Sequence, residues 1–271
     1  MLADALAFDL DGTVYLEDRP LPGARELMGS LRAARVPYVF ATNNSSLPAE
    51  RYVERLRGMG IEADPSHVLT STHAAAHRLR QAGFSRAYVL ATDEVKEELG
   101  VADIAHDAVD PQAVLLTFDT SLDYDKVRTV SDLVRSGLPY FATHPDLVCP
   151  TPNGPVPDCG AFIALFAAAT GREPEILGKP SGFMATAIRA RLGLEAERAG
   201  APAPVRIAFV GDRLYTDVRM ANEHGFTAVL TLTGETTHGN HGSSYTPDLV
   251  VRDLYELAEH LGLAKVEERS A

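Results

Sequence analysis

Short apolar runs alternate with amphipathic stretches along the chain. Residues 5–10 and 37–42 are the first two apolar runs, and each is followed by a helical pattern, over residues 21–35 and 48–59 respectively. A short apolar run predicts a buried strand, whereas apolar positions three and four residues apart predict a helix. The first part of the chain therefore predicts two strand–helix units.

The same alternation continues to the end of the sequence. Further strands are predicted at residues 67–71, 87–92, 113–118, 139–144, 206–210 and 227–232. Further helices are predicted at residues 72–81, 95–99, 124–136, 160–170, 181–192 and 216–224, and a last strand–helix pair at residues 248–260. Strands that alternate with helices are typical of an α/β protein with a largely parallel sheet.

The charge balance narrows the classes of partner. The 271 residues include 25 Lys and Arg against 37 Asp and Glu, for a formal net charge of −12. Nucleic acid polymers and anionic membrane surfaces both attract basic proteins, so we expect neither as a partner. The longest apolar stretch, near residues 161–169, is about half the length of a membrane span. The first residues lack the basic, apolar pattern of an export signal, and we expect a cytoplasmic location.

Cysteine and histidine residues give no sign of a disulfide framework or a zinc site. Cys149 and Cys159 are the only cysteines, and we expect both to stay reduced. His238 and His241 lie in a loop rich in Gly, Ser and Thr, without a third ligand nearby. We interpret this pair as part of a solvated turn.

Two acids follow the first predicted strand. Asp9 and Asp11 are two residues apart, so their side chains point the same way if the strand continues through them. The carboxyl ends of parallel strands form the ligand sites of open α/β sheets. Two neighbouring carboxylates repel each other unless a cation or a shared proton compensates, and Gly12 then allows a sharp turn. Taken alone, the pair is equally compatible with an acidic turn after an edge strand.

Polar residues also follow the second predicted strand. Thr42, Asn43 and Asn44 offer hydroxyl and amide groups, which can bind phosphate oxygens. The same residues can cap the helix that follows, and the two roles are compatible.

Two further candidate positions lie later in the chain. Lys179 precedes a predicted helix, where backbone amides favour an anion, although a single lysine is usually a solvated surface charge. Asp212 follows a buried strand and Gly211, and Asp217 comes one turn later. Together with the residues above, these types suit Mg²⁺ and a phosphate group.

The order of these motifs resembles that of the haloacid dehalogenase (HAD) superfamily. Asp9 to Thr13 match the pattern DxDGT, Thr42 the Thr/Ser motif, Lys179 the lysine motif, and residues 211–217 the pattern GDxxxTD. The residues after the second strand and the segment 142–146 resemble subfamily IIA, the group of NagD-like, phosphoglycolate and p-nitrophenyl phosphatases. His144 stands where that group often has Asn.

The spacing of the motifs predicts two domains. Only 33 residues separate Asp9 from Thr42, whereas 137 separate Thr42 from Lys179, far more than one crossover needs. We predict a HAD-like catalytic core with a doubly wound, Rossmann-like parallel sheet, formed by residues 1–78 and 178–271. Residues 79–177 are predicted to be an inserted α/β cap domain of the C2 type, which determines substrate specificity.

The resemblance implies a Mg²⁺-dependent phosphatase that hydrolyses small phosphomonoesters through an aspartyl-phosphate. It makes Asp9 the nucleophile and Asp11 the general acid and base. It implies that Mg²⁺ is held by Asp9, by the backbone carbonyl of Asp11 and by Asp212, with Asp217 acting from outside the metal's own ligands. It assigns phosphate binding to Thr42, Asn43, Asn44 and Lys179.

The substrate class stays open between nucleotide, sugar, glycolate and aryl phosphates, and the resemblance also implies a homodimer that pairs through the cap. A phosphomutase or phosphonatase of the same fold is one alternative. A non-enzymatic phospho-accepting or ligand-binding protein is another. Release of free phosphate distinguishes a phosphatase from a phosphomutase, which returns the phosphate to a sugar.

Overall fold

The computed structural model describes residues 2–101, 104, 109–149, 151, 153–194, 205–237 and 244–263. The predicted turn at His238 and His241 lies outside the described residues. The chain divides into two compact units, which are described separately. The first consists of Met1–Thr42, Glu50–Leu69 and Ile188–Ala271, and the second of Asn43–Ala49 and Thr70–Ala187.

Strands and helices alternate as the hydrophobic pattern predicts. The strands are β1 (Ala5–Phe8), β2 (Tyr15–Leu16), β3 (Arg19–Pro20), β4 (Tyr38–Thr42), β5 (Val68–Thr70), β6 (Ala87–Leu90), β7 (Ala113–Leu116), β8 (Tyr140–Ala142), β9 (Val148–Cys149), β10 (Val156–Pro157), β11 (Glu175–Ile176), β12 (Ile207–Gly211), β13 (Thr227–Thr231) and β14 (Leu249–Val251). The helices are α1 (Ala24–Ala33), α2 (Ala49–Gly58), α3 (Ser71–Gln81), α4 (Asp93–Val101), α5 (Tyr124–Arg135), α6 (Cys159–Thr170), α7 (Gly182–Arg191), α8 (Arg219–His224) and α9 (Leu254–His260).

A six-stranded sheet forms the centre of the first unit. Its strand order is β14-β13-β12-β1-β4-β5, and β1 lies between β12 and β4 with parallel pairing on both sides. All four residues of β1 are buried, as expected for a central strand covered on both faces. Parallel pairing of β12 with β13 and of β13 with β14 continues the doubly wound arrangement. The carboxyl ends of β1 and β12 therefore reach the same edge of the sheet.

The second unit has its own four-stranded parallel sheet, in the order β11-β8-β7-β6. Successive residues of β7 face opposite sides. Leu115 joins a hydrophobic cluster with residues of α3 and α4, whereas Val114 joins a cluster with residues of α5 and α6. This sheet is thus covered by helices on both faces, and both units are α/β, as the sequence predicts.

Local signals explain where several helices begin. The Asp123 carboxylate accepts a hydrogen bond from the Lys126 backbone N–H (2.8 Å) at the start of α5, and Asp253 accepts one from Glu256 (3.0 Å) at the start of α9. Such N-caps satisfy backbone donors that the first helical turn leaves without partners. None of the described helices is long and apolar enough to cross a membrane.

The structure differs from the predicted elements at short features. Two hairpins, β2–β3 and β9–β10, and the two-residue strand β11 were absent from the prediction, because two residues are too few to show a period. The helix predicted at residues 216–224 begins earlier, with a π-helical turn at Leu214–Val218 that leads into α8. The predicted boundary between core and cap stays a prediction.

Candidate active site

Asp9 follows β1 at the carboxyl edge of the first sheet. Its backbone N–H donates to the Val210 carbonyl (2.8 Å), which continues the pairing of β1 with β12 beyond the last strand residue. The chain then turns at Gly12, whose φ of 88° favours glycine and whose N–H donates to the Tyr15 carbonyl (2.8 Å). Asp9 is buried, whereas Asp11 is only partly buried within this turn.

Three buried carboxylates meet at this edge. Asp9, Asp212 and Asp217 each contribute a carboxylate oxygen, and these oxygens lie within 4.8 Å of one another. The π-helical turn after Asp212 places Asp217, and the Asp217 Oδ2 accepts a hydrogen bond from the Arg213 backbone N–H (3.1 Å). A Cβ at Gly211 would overlap the Asp217 carboxylate, so the close approach of that carboxylate to the end of β12 requires glycine.

Two donors orient Asp212, and its surroundings disfavour a negative charge. Thr13 Oγ1 donates to Asp212 Oδ1 (3.3 Å), and the Glu235 backbone N–H donates to Asp212 Oδ2 (2.6 Å). Burial, and then the charges of Asp9 and Asp217, raise the pKa of Asp212 to about 8. A cation among these oxygens would compensate the negative charge of the Asp212 carboxylate, which its surroundings otherwise disfavour. The donor set consists of carboxylate oxygens, which suits a hard divalent ion such as Mg²⁺.

Thr42 ends β4 in the first unit and is buried there. Asn44, in the second unit, has a side chain engaged by its neighbours. Its Oδ1 accepts from the backbone N–H (3.1 Å) and hydroxyl (2.8 Å) of Ser46, and its Nδ2 donates to the Cys149 sulfur (3.9 Å). Both cysteines are free in the structure.

The second unit brings Asn43 and Lys179 together. Asn43 Oδ1 accepts from the Lys179 backbone N–H (2.8 Å), and Asn43 Nδ2 donates to the Lys179 carbonyl (3.0 Å). Just before Lys179, the Gly178 N–H donates to the Thr143 carbonyl (2.6 Å), and a Cβ at Gly178 would overlap that carbonyl. Lys179 is only 2% exposed, so it is not the solvated surface charge that a single lysine usually is.

Several residues at these positions have no role assigned from the sequence. Asp146 Oδ2 accepts from Asn43 Nδ2 (3.1 Å), and His144 lies beside Asp146. Thr233 Oγ1 donates to the Gly12 carbonyl (2.7 Å), and Glu235 binds Asp212 through its backbone. Residues 142–146 carried a resemblance signal but no role, whereas Thr233 and Glu235 had no signal in the sequence, because their contacts reach residues distant along the chain.

Comparison with known proteins identifies the family. The family model for haloacid dehalogenase-like hydrolases matches residues 6–105, and a HAD-hydrolase-like model matches residues 176–257. The crystal structure of 4-nitrophenylphosphatase from Thermotoga maritima is 39% identical, covers 95% of this chain and 97% of its own, and superposes with a TM-score of 0.87.

Two other relatives are also named as phosphatases. Glycerol-3-phosphate phosphatase of Gallus gallus is 33% identical over 86% of this chain and 81% of its own. The structure of glycerol phosphate phosphatase from Mycobacterium tuberculosis in complex with magnesium is 28% identical, covers 93% of this chain and 76% of its own, and has a TM-score of 0.81. The chain therefore belongs to the haloacid dehalogenase-like hydrolases, within subfamily IIA, the NagD-like group of phosphatases.

Proposed function

We propose that this protein hydrolyses small phosphomonoesters in the presence of Mg²⁺, through an aspartyl-phosphate, an acyl phosphate formed on Asp9. The observation that carries the proposal is the group of buried carboxylates of Asp9, Asp212 and Asp217 at the carboxyl ends of β1 and β12. Three buried acids at one point are costly unless a cation compensates them. Similar proteins named as phosphatases, one of them in complex with magnesium, support the same reading.

Asp9, Asp212 and the backbone carbonyl of Asp11 would hold the metal ion. Asp217 would not bind the metal ion directly but would orient its surroundings, because the Arg213 N–H already fixes one of the Asp217 carboxylate oxygens. When bound, Mg²⁺ supplies positive charge that offsets the carboxylates and the negative charge of the phosphate.

The two acids of the first motif divide the chemistry. A carboxylate oxygen of Asp9 attacks phosphorus, the bond from phosphorus to the ester oxygen breaks, and Asp11 gives its proton to the leaving alkoxide. Water then attacks the phosphorus of the phosphorylated Asp9, and the Asp11 carboxylate takes the proton of that water. Inorganic phosphate leaves, and both side chains return to their starting states.

Phosphate binding belongs to Thr42, Asn43, Asn44 and Lys179 in this proposal. Thr42 would contribute its hydroxyl and Asn43 its backbone N–H, while the ammonium group of Lys179 offsets the charge of the phosphate. The side chain of Asn44 is engaged by Ser46 and Cys149, so Asn44 would contribute its backbone N–H. We further propose that residues 79–177 form the cap that selects the ester, against a catalytic core of residues 1–78 and 178–271.

A panel of phosphate esters tests the proposal. Nucleotide, sugar, glycolate, glycerol and p-nitrophenyl phosphates are incubated with the protein and Mg²⁺, and free phosphate is measured. We expect phosphate release from at least one ester, its loss with EDTA, and its recovery when Mg²⁺ is added back. The Asp9→Asn variant is the control for contaminating phosphatases. Full activity after metal removal, or transfer of phosphate to a second site on the substrate without its release, would contradict the proposal.

A further inference from the structure

A buried polar cluster surrounds His144 in the second unit. His144 is completely buried, and each of its ring nitrogens faces a carboxylate. Nδ1 lies 3.4 Å from Asp146 Oδ2, and Nε2 lies 3.5 Å from Asp158 Oδ1. Asp146 and Asp158 are themselves 7% and 4% exposed. Two carboxylates in such a position are stable only with compensating charge or hydrogen bonds.

A series of hydrogen bonds between hydroxyl and thiol groups determines whether His144 Nε2 carries a hydrogen. The Cys159 thiol donates to the Leu116 carbonyl (3.8 Å), which can only accept, and the Thr143 hydroxyl donates to the Cys159 sulfur (3.7 Å). Thr143 Oγ1 must then accept from Ser45 (2.9 Å), because a hydroxyl has one proton. With its proton used, Ser45 Oγ accepts from the Phe118 N–H (2.9 Å) and from His144 Nε2 (3.3 Å). Nε2 therefore carries a hydrogen.

The other nitrogen faces a carboxylate as well. If Nδ1 were unprotonated, the ring would be neutral, and the buried carboxylate of Asp146, 3.4 Å from Nδ1, would have no positive charge beside it from His144. A protonated ring instead places one positive charge within 3.5 Å of both Asp146 Oδ2 and Asp158 Oδ1, while Nε2 donates to Ser45. Burial raises the pKa of the Cys159 thiol to about 12, so the cysteine stays neutral. On the β7 side, Asp119 is paired with Lys126 (2.8 Å), so the Asp119 charge is already balanced.

The same cluster leads directly to Lys179. Asp146 Oδ2, which faces His144, also accepts from Asn43 Nδ2 (3.1 Å). Asn43 in turn holds the backbone of Lys179 through both its N–H (2.8 Å) and its carbonyl (3.0 Å). The path from His144 to Lys179 therefore consists of two side chains, Asp146 and Asn43, joined by hydrogen bonds and an ion pair.

We propose that His144 is a positioning residue, held as an imidazolium between Asp146 and Asp158, that fixes Asn43 and thereby Lys179. The role in turnover rests on the proposed phosphatase function, since it concerns the phosphate-binding lysine. Loss of the His144 proton would leave Asp146 and Asp158 without their shared cation. The side chain of Asn43 would then lose its fixed partner Asp146. The backbone of Lys179 would no longer be held in place by the hydrogen bonds with Asn43.

The charge state is tested by nuclear magnetic resonance on the full-length protein. Selective ¹⁵N labelling of histidine side chains, with assignment by comparison to His144→Asn, reports the protonation of each ring nitrogen. We expect both nitrogens of His144 to be protonated at neutral pH. A single protonated nitrogen would overturn the imidazolium assignment. This measurement does not depend on enzymatic activity.

The positioning role is tested by kinetics with p-nitrophenyl phosphate and Mg²⁺. We expect His144→Ala to lower kcat/KM by about 10²-fold, the cost of a small misplacement of an active-site group. The Asn side chain in His144→Asn still offers an amide donor, so we expect a smaller fall in kcat/KM than in His144→Ala. This variant should also lack the alkaline fall in kcat/KM that deprotonation of His144 produces in the unmodified protein. The matched control is His77→Asn, because His77 lies on α3 and contacts Gln81 (2.9 Å) outside the cluster.

The outcomes separate the two proposals. An unmodified protein that releases no phosphate from any ester would contradict the phosphatase function, and the resonance experiment would still decide the state of His144. If the unmodified protein is active, and His144→Asn shows the same kcat/KM and the same pH profile as the unmodified protein, the positioning role is wrong. Thermal melting identifies variants that fail to fold, and His144→Asn carries the test if His144→Ala is one of them.

Discussion

Asp9 and Asp11 are chemically identical side chains in different surroundings. Asp9 is buried beside the carboxylates of Asp212 and Asp217, whereas Asp11 is partly exposed in the turn that pairs with Tyr15. A metal ion held by these carboxylates would keep the Asp9 oxygen in place for attack on phosphorus. An acid nearer to solvent can exchange its proton, as a general acid and base must.

Substitution of each acid should therefore give a different defect. Asp9→Asn removes the nucleophile, so no phosphorylated protein should form. Asp11→Asn keeps the nucleophile but should lose about 10²–10⁴-fold in turnover of esters with poor leaving groups, because the alkoxide is no longer protonated. With acetyl phosphate, whose leaving group needs little protonation, Asp11→Asn should accumulate the adduct on Asp9. Rapid quenching and mass spectrometry measure it. An adduct on the Asp9→Asn protein would show that the roles are wrongly assigned.

The raised pKa of Asp212 predicts how the stability of the metal-free protein depends on pH. The folded protein binds a proton with a pKa of about 8, against an ordinary value of 3.8, so folding takes up a proton between these values. The stabilising contribution of this proton is complete below pH 3.8 and declines as the pH rises towards about 8. Melting curves in EDTA should show this decline in the unmodified protein and less of it in Asp212→Asn. Asp125→Asn, at an exposed ion pair, is the control. Equal slopes for all three proteins would exclude the effect.

At the scale of elements, the loop after β13 fixes the geometry of the carboxylates. Thr233 Oγ1 donates to the Gly12 carbonyl (2.7 Å), and the Glu235 N–H donates to Asp212 Oδ2 (2.6 Å). Arg213 and Tyr215 hold the Glu235 carboxylate at 3.2 and 3.1 Å, which anchors the loop on the π-helical turn. This loop therefore connects the turn after β1 with the turn after β12.

Gly234 lies at the closest point of this loop. A Cβ at this position would overlap Asp212 Oδ2, so Gly234→Ala must displace either the loop or the carboxylate. We expect affinity for Mg²⁺, measured by calorimetry, to fall about 10–100-fold, as for other changes that disturb the partners of a metal ligand. Gly29→Ala is the matched control, since a Cβ there meets no atom within 4 Å. Unchanged affinity in Gly234→Ala would show that the loop does not determine the position of Asp212.

At the scale of the whole molecule, each unit has a sheet and a core of its own. Leu115 in β7 is completely buried in the cluster between the second sheet and the helices α3 and α4. Leu115→Ala should lower the free energy of unfolding of this unit by about 2–5 kcal/mol, because it removes buried methyl groups and leaves a cavity.

Hydrogen exchange locates this effect within the chain. Amides of β6, β7 and β8 should lose protection in Leu115→Ala. Tyr124→Ala changes a side chain that is 80% exposed and should change the free energy by no more than about 0.5 kcal/mol. A loss in Tyr124→Ala as large as in Leu115→Ala would contradict the assignment of Leu115 to the core.

The sequence by itself determined the alternation of strands and helices, the parallel α/β class and the family. Apolar runs such as residues 5–10 and 37–42 mark strands because a central parallel strand is buried on both faces. The motif acids Asp9 and Asp212 were found from the chain alone, since strand ends are visible as the point where an apolar run meets polar residues. Their chemistry follows from residue type and order.

Only the tertiary structure decided which residues support those motifs. The sequence assigns no role to His144, Asp146 or Thr233, because their contacts include partners up to 221 positions away along the chain. The position of Asp217 likewise depends on a π-helical turn, whereas the sequence pattern predicts a regular helix there. Hydrophobic periodicity indicates which face of an element is buried, but it contains no information about which distant side chain lies opposite that face. Hydrogen bonds and ion pairs depend on the distance between the two side chains, and only the tertiary structure sets this distance.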